Sequence, residues 1–509
     1  MCGIICAYKA KLPPGRYMSH RGPDDPHNEH SNDNVAMRFS RLEINGGKGA
    51  KQPFVDGNHI FVCNGEIYNY KELDTTETSD CRALFKTLKN NNPLNVVKAV
   101  AHTEFAFCYW NGFELWAARD PVGVRPMFYT RVTETGGILF SSEAKALAPR
   151  KARIFPPGHI YCSATDSFTC YAPLMWAPRP TLEYTKSQLD LKNALIDAVV
   201  DRVQVTERPV AFLLSGGLDS SLVASIACTH ASVLQDVYTF TIGKADSPDV
   251  QAAQMVSQYL ETLCTQQGKK YIHTHIEFDF ELGFNLIPKI IYDIESYDTT
   301  TIRASVPMWL LCDYISKHTP CKVVLSGEGA DELLAGYKYF QGASSASDLF
   351  YECVRRVQKL HQFDVLRADR CTASHGLEVR VPFLDKRVVD ACMAVHPLHK
   401  MVTIEKMEKS VLREAFQGYL PDQILWRAKD AFSDAVGYDW VSYVKQRCEQ
   451  DLPHYDRGYK HCKPLTNEEA FYRRTFQTYF GKRNDGLITE IWRPLWSQVT
   501  DPSARQLKF

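Results

Sequence analysis

Cys2 directly follows the initiator Met1, and far downstream an apolar run gives way to Ser215-Gly216-Gly217-Leu218-Asp219-Ser220-Ser221. Once Met1 is removed, a cysteine at position two carries a thiol and a free α-amino group on one residue, so nucleophile and base need no third partner. An α-amino group titrates near ~7.7–8.0 and a thiol near ~8.5, so around neutral pH part of the amine is unprotonated and can take the thiol proton. The chemistry this suits is acyl transfer to sulfur, and it requires the Met1 peptide bond to be cut. Position alone is weak ground, because a buried cysteine acting as a small hydrophobe is the commoner finding.

The second cluster reads as strand, glycine turn, helix: Ala211-Phe212-Leu213-Leu214 is strand-like and a helical pattern begins at Ser220. Such a join aims successive backbone N–H groups and the positive end of a helix at an anion. No lysine precedes the final hydroxyl residues, so this is not a Walker loop. SGGxDS is the signature of nucleotide α-hydrolases, which split ATP into AMP and pyrophosphate, and the loop resembles a pyrophosphate cradle; taken alone, the same residues are also ordinary turn chemistry. A further apolar run, Val323-Val324-Leu325, opens into Ser326-Gly327-Glu328-Gly329-Ala330-Asp331-Glu332. This places acids at the carboxyl edge of the same sheet, where ligands of doubly wound sheets bind. Asp219 and Asp331 are candidate Mg²⁺ ligands, since a hard octahedral ion takes carboxylate and phosphate oxygens. Asp331 and Glu332 also suit a helix N-terminus for its dipole alone. Lys429, in Trp426-Arg427-Ala428-Lys429, is a cation that could meet a triphosphate, although by itself it reads as surface charge.

With 509 residues, 45% of them hydrophobic and 12% aromatic, the chain has material for two or three domains. Lys plus Arg and Asp plus Glu are equal at 59 each, which supplies no global attraction to nucleic acid or to an anionic membrane. Sixteen cysteines without CxxC pairs argue against a disulfide framework and against a zinc site, and favour a reducing, cytoplasmic setting. No apolar run approaches the ~20 residues of a membrane helix, and Lys9 to His20 is too polar for a signal peptide.

The elements that must position these residues fall into two patterns. Up to about Ala164 the chain reads as short strands: Ile4 to Tyr8, Val35 to Leu42, His59 to Asn64, Phe105 to Trp110, Phe113 to Ala118, Met127 to Val132, Ile138 to Ser141 and His159 to Cys162. Helices over Asp80 to Lys89 and Pro93 to Ala101 would lie on this sheet sandwich. Pro173, Pro178 and Pro180 around Trp176 mark a connection, giving domains 1–175 and 176–509. Beyond it strands and helices alternate: Val210 to Leu214, Ser220 to Cys228, Val237 to Ile242, Pro248 to Leu263, Tyr271 to Phe278, Ile302 to Ile315 and Lys322 to Leu325. That order implies a doubly wound parallel sheet. Tyr351 to Leu366, Leu384 to Val395 and Glu408 to Phe416 then read as a helical extension.

Taken together these residues resemble the glutamine-hydrolysing asparagine synthetases. The likeness rests on MCGI, HRGPD (His20 to Asp24), RLEI (Arg41 to Ile44), NGEIYNY (Asn64 to Tyr70), TSDC (Thr78 to Cys81), RDPVG (Arg119 to Gly123) and SSEAKAL (Ser141 to Leu147) in the first half. In the second it rests on SGGLDSS, IESYDTTTIRAS (Ile294 to Ser305), LSGEGADELLAGY (Leu325 to Tyr337), GLEVRVPFLD (Gly376 to Asp385), MEKSVLRE (Met407 to Glu414) and KDAFSDAVGY (Lys429 to Tyr438). The resemblance implies an α/β and α+β fold, with an N-terminal αββα N-terminal-nucleophile sandwich followed by a doubly wound PP-loop domain. It implies that Cys2 attacks the glutamine side-chain amide, that Asn64 and Gly65 stabilise the oxyanion, that Arg41 pairs with the α-carboxylate and that Glu66 and Asp80 meet the α-ammonium.

For the second half it implies ATP with its pyrophosphate over Ser215, Gly216, Gly217, Asp219 and Ser220, adenine near Leu213 and Ile242, and further contacts from Ser326 and Gly327. Mg²⁺ would sit at Asp219 and Asp331. Arg303, Glu328, Asp331 and Lys429 would surround the aspartate and its adenylate, with Arg303 and Lys429 offsetting phosphate charge and Glu328 as general base or stabiliser of the tetrahedral intermediate. The partners implied are glutamine, aspartate and ATP, with no nucleic acid and no membrane; a homodimer is an assembly the resemblance allows. The chain departs from the family between Ala7 and His20, where an expected first helix has no room, and between Tyr70 and Thr78, which is short. Both flank the glutamine pocket. An amidotransferase or cyclising ligase acting on another carboxylate, and a PP-loop tRNA-modifying enzyme or inactive scaffold, are the rival readings.

Overall fold

The computed structural model describes residues 1–14, 18–177, 184–428, 439–451 and 459–497. The N-terminal part is two stacked antiparallel sheets of six strands. In the first, the order is Arg153–Ile154, Phe128–Val132, Gly137–Ser141, Gly3–Tyr8, Val35–Arg41, Asp25–Ser31. In the second it is Ser167–Cys170, His159–Cys162, Leu115–Arg119, Glu104–Trp110, His59–Glu66, Phe54–Asp56. Alternation along each strand divides the side chains. Ile4, Cys6, Ile138 and Phe140 point between the sheets to meet Ile60, Val62, Ala106 and Cys108. Phe61, Phe105 and Phe107 face outward under the helices Asp80–Asn90 and Pro93–Ala99, which contribute Leu84, Phe85, Leu88 and Val97. The opposite outer face, with Ala7, Phe128, Val132 and Leu139, joins the core of the C-terminal part.

That C-terminal part is built on five parallel strands in the order Lys270–Ile276, Asp236–Ile242, Val210–Leu213, Val323–Leu325, Glu378–Arg380. The first strand in sequence lies at the centre, the doubly wound arrangement expected. Helices Leu218–His230, Pro248–Gln266, Phe280–Ile294 and Thr299–His318 flank it.

Several expectations needed correction. Phe113 is not in a strand: it is 89% exposed in the turn where Asn111 Oδ1 accepts from the N–H groups of Phe113 and Glu114, and the strand begins at Leu115. The helix read over Tyr351 to Leu366 is two, Ala346–Lys359 and Asp364–Ala373, broken where Phe363 leaves helical geometry at φ −121° and ψ −106°. Helix Tyr184–Gln204 is an element the sequence reading lacks, although Leu191, Leu195, Ala198 and Val199 form its buried stripe. Among the described residues there is no helix between Ala7 and His20, and Tyr70–Leu73 is a single turn. None of the described helices is long and apolar enough to cross a membrane, and all sixteen cysteines are free.

Candidate functional site

Residues from three of the parallel strand ends line one cavity of about 220 Å³. Leu213, Phe240, Ile242, Met308 and Leu311 make its apolar end, and Ser215, Gly217 and Ser220 its polar floor. The loop from Leu214 to Gly217 is held taut: the Ser215 and Ser220 hydroxyls are 2.8 Å apart and the Gly217 N–H donates to Ser215 Oγ at 3.3 Å. Gly216 has φ +73°, and a Cβ there would come within 2.5 Å of the Asp249 carbonyl, so only glycine lets the loop lie on the neighbouring helix. The second loop closes on the first, since a Cβ on Gly327 would meet the Asp219 carbonyl carbon at 2.9 Å.

At this junction the Lys409 ammonium lies 2.6 Å from Asp219 Oδ2 and 2.5 Å from Asp331 Oδ1. Two carboxylates from different strand ends thus converge on one cationic point. Lys409 adopts φ +58°, and Gly336 leaves room for it, because a Cβ on Gly336 would overlap Lys409 Cε at 2.2 Å. Glu328 also lines the cavity and pairs with Arg367 Nη2 at 2.8 Å; Arg367 is bound in turn by Asp364 at 2.6 Å. The buried Glu332 carboxyl is pushed up to about 8 by desolvation beside Asp364 and Asp331, and Tyr337 donates to it at 2.6 Å. Tyr337, Tyr339 and Trp492 wall this end.

Of the residues anticipated around the adenylate, Arg303 stands elsewhere. Its guanidinium is buried against Glu468, with Nε at 2.8 Å and Nη2 at 2.6 Å, joining helix Thr299–His318 to helix Asn467–Phe480, and it does not line the cavity. Among the described residues the cavity's positive charge comes from Lys338, Arg367, Lys409, Arg413 and Arg427. Lys429 lies outside the described residues.

In the sandwich, Cys2 Sγ accepts from the Leu42 N–H at 3.5 Å, beside Arg41. With Met1 in place, burial raises the Cys2 thiol to about 12 and lowers the Met1 amine to about 5; that amine donates to the Leu377 carbonyl at 2.6 Å. Asn64 is fully buried and, among the described residues, neither atom of its side-chain amide has a hydrogen-bond partner. Gly65 lies so close to the next strand that a Cβ would meet the Glu104 carbonyl oxygen at 2.6 Å. Glu66 and Asp80 meet through Asn45, whose Nδ2 is 3.4 Å from Glu66 Oε2 and 3.4 Å from Asp80 Oδ1, and Asp80 Oδ2 accepts from the Ile67 N–H at 2.9 Å. Burial pushes both carboxyls upward, opposed at Glu66 chiefly by Arg380 and at Asp80 chiefly by the Ile67 N–H. Arg41 turns its Nη2 to the Asn45 carbonyl at 3.5 Å and to that of Gly47.

Buried ion pairs join the two halves. Arg125 reaches Glu104 at 2.9 Å and the Val379 carbonyl at 3.1 Å; Arg202 bridges Glu104 and Asp385 at 2.9 and 3.0 Å; Arg21 bridges Glu143 and Asp369 at 2.9 and 2.8 Å. Arg380 joins Glu66 to Glu378, both at 2.9 Å. Lys409 and Arg380 stand inside MEKSVLRE and GLEVRVPFLD, where their motifs could have flagged them; Arg367, Asp364 and Trp492 carry no such signal.

An asparagine synthase family model matches residues 190–353 and 343–501, and a glutamine amidotransferase domain model matches 1–157. A Dictyostelium discoideum protein named probable asparagine synthetase (glutamine-hydrolyzing) is 36% identical over 563 aligned positions, covering 100% of this chain and 99% of its own. Asparagine synthetase (glutamine-hydrolyzing) 1 of Saccharomyces cerevisiae is 34% identical, covering 99% of this chain and 98% of its own, and that of Sandersonia aurantiaca is 36% identical over 97% and 98%. An alignment of 563 positions against 509 residues places internal gaps in this chain.

Proposed function

Since the chain belongs to the glutamine-hydrolysing asparagine synthetase family, we propose that it converts L-aspartate to L-asparagine with glutamine nitrogen, cleaving ATP to AMP and pyrophosphate through a β-aspartyl-AMP intermediate. The observation that carries this reading is the convergence of the Ser215–Ser220 and Ser326–Asp331 loops on one cavity whose acids and cations alternate. An apolar end suits adenine, the glycine floor with the N-terminus of helix Leu218–His230 suits pyrophosphate, and the end with Arg367, Asp364 and Glu328 suits a zwitterionic amino acid.

In this reading Cys2, freed of Met1, attacks the glutamine Cδ. The thiol proton passes through the Cys2 α-amine to the departing nitrogen, ammonia leaves, and water cleaves the thioester to give glutamate. Asn64 and Gly65 receive the oxyanion; the buried amide of Asn64, without a hydrogen-bond partner among the described residues, supports that assignment. Arg41 takes the α-carboxylate, and Glu66 and Asp80 the α-ammonium. In the second half an aspartate β-carboxylate oxygen attacks the α-phosphorus and pyrophosphate departs over Ser215, Gly216, Gly217 and Ser220. Ammonia then adds to the acyl carbon, its proton goes to Glu328, and the bond to AMP breaks.

Asp219 and Asp331 are the oxygen donors that would hold Mg²⁺: their carboxylates converge on the one point where the Lys409 ammonium lies, and substrate oxygens would complete the shell. When bound there, the ion would screen phosphate charge. Buried free cysteines accord with a reducing cytoplasm. The test supplies aspartate, ATP, Mg²⁺ and ammonia without glutamine: AMP should appear one for one with asparagine, and ADP in its place would overturn the reading.

A further inference from the structure

We propose that Arg380, on the C-terminal parallel sheet, is a positioning residue of the glutamine pocket, anchoring one oxygen of Glu66 so that the other faces the substrate's α-ammonium. This rests on the reading of Glu66 given above. Arg380 is fully buried: Nε donates to Glu378 Oε1 at 2.9 Å and Nη1 to the carbonyls of Arg202 and Val205, each at 2.7 Å, while Nη2 lies 2.9 Å from Glu66 Oε2 as an ion pair without hydrogen-bond geometry. The same Glu66 oxygen receives Asn45 Nδ2 at 3.4 Å, whereas Oε1 makes no hydrogen bond among the described residues. The ion pair and the Asn45 hydrogen bond both act on Oε2, which leaves Oε1 as the oxygen available to a substrate cation.

The anchor belongs to the ATP-binding half. Arg380 ends the strand paired in parallel with Val323–Leu325, and its carbonyl accepts from the Ser326 N–H at 3.1 Å, at the mouth of the nucleotide cavity. A pocket for one substrate is therefore completed by the element that shapes the pocket for another. Four charged groups act on Glu66: Arg380 and Arg125 favour its ionised form, and Glu378 and Asp80 oppose it. Removing the guanidinium leaves burial and two acids against Arg125, whose effect is the smaller, so Glu66 takes up a proton more readily.

The test measures glutamine hydrolysis and ammonia-supported synthesis on the full Met1-processed chain with Arg380→Met, Arg380→Lys and Glu66→Gln. Arg380→Met should raise KM for glutamine about tenfold or more at pH 7 with kcat changed less than about threefold, while ammonia-supported synthesis stays within about twofold. Its kcat/KM for glutamine should climb toward wild type between pH 7 and 9, a recovery Glu66→Gln cannot show. Arg380→Lys should restore most of the KM. An unchanged glutamine KM in both Arg380 variants, or an equal fall on the glutamine and ammonia routes without a pH shift, would overturn the proposal. If Arg380→Met does not fold, Arg380→Lys decides, with about a threefold rise in KM expected and no rise overturning it. A glutamine KM unaltered in Glu66→Gln would instead sink the reading of Glu66 itself.

Discussion

The Lys409 ammonium stands 2.6 Å from the Asp219 carboxylate, although 190 residues of chain separate them. Replacing it by methionine leaves Asp219 and Asp331 repelling each other at the cavity mouth. Lys409→Met should lower ammonia-supported synthesis about a hundredfold, the scale of losing one preorganised charge partner, and leave glutamine hydrolysis intact. Initial rates for the two reactions on one preparation check this; an equal loss in both would show a folding defect.

Gly216→Ala introduces a methyl 2.5 Å from the Asp249 carbonyl at φ +73°. The loop must move off helix Pro248–Gln266. ATP affinity by calorimetry should fall at least about tenfold, and unaltered binding would refute the cradle.

Cys2→Ala should abolish glutamine-supported synthesis and spare the ammonia route, because the proposed function gives the two centres separate chemistry. Loss of both would show otherwise. Mass spectrometry of the amino terminus belongs with this assay, since Cys2 has no adjacent α-amine of its own while Met1 remains.

Arg21→Met removes the bidentate partner of the fully buried Asp369, leaving it Arg370 at 3.5 Å, and one of several partners of Glu143, and should cost about 3 kcal/mol of stability at pH 7. Burial raises both carboxyls, but His20, Lys145 and Arg370 hold Glu143 well below its usual range, and Arg21 followed by Arg370 holds Asp369 below its own. Groups with depressed folded values stabilise above the unfolded value and lose that contribution as pH falls through the folded one. The gap in melting temperature between variant and wild type should therefore be full at neutral pH and close below about pH 4. A gap that is constant from pH 7 to 3 would count against the pairing.

Local signals were read well. The turn chemistry of Ser215–Ser220, the apolar strand Val323–Leu325 and the alternation of the sandwich strands all act over a few residues, and a short sequence window contains their whole cause. What could not be read were partnerships across the chain. Arg303 sits in a motif that suggests a phosphate contact, yet Glu468, far along the sequence on another helix, engages it. Nothing around Arg367 reveals that it faces Glu328, and nothing around Arg380 that it crosses to Glu66. Gly336 shows the same limit in part: a Cβ there would meet Lys409 Cε, far along the chain, as well as Asp331 Oδ1 in its own motif.

The first sheet's outer face, with Ala7, Phe128, Val132 and Leu139, is covered by the other half of the molecule, and buried ion pairs such as Arg21–Asp369 and Arg202–Glu104 cross between the halves. Cut into two genes, this protein would yield fragments each bearing an oily flank studded with stranded charges. Neither would stay in solution by itself; only co-translation, with each flank meeting its mate before aggregation, would return an active pair.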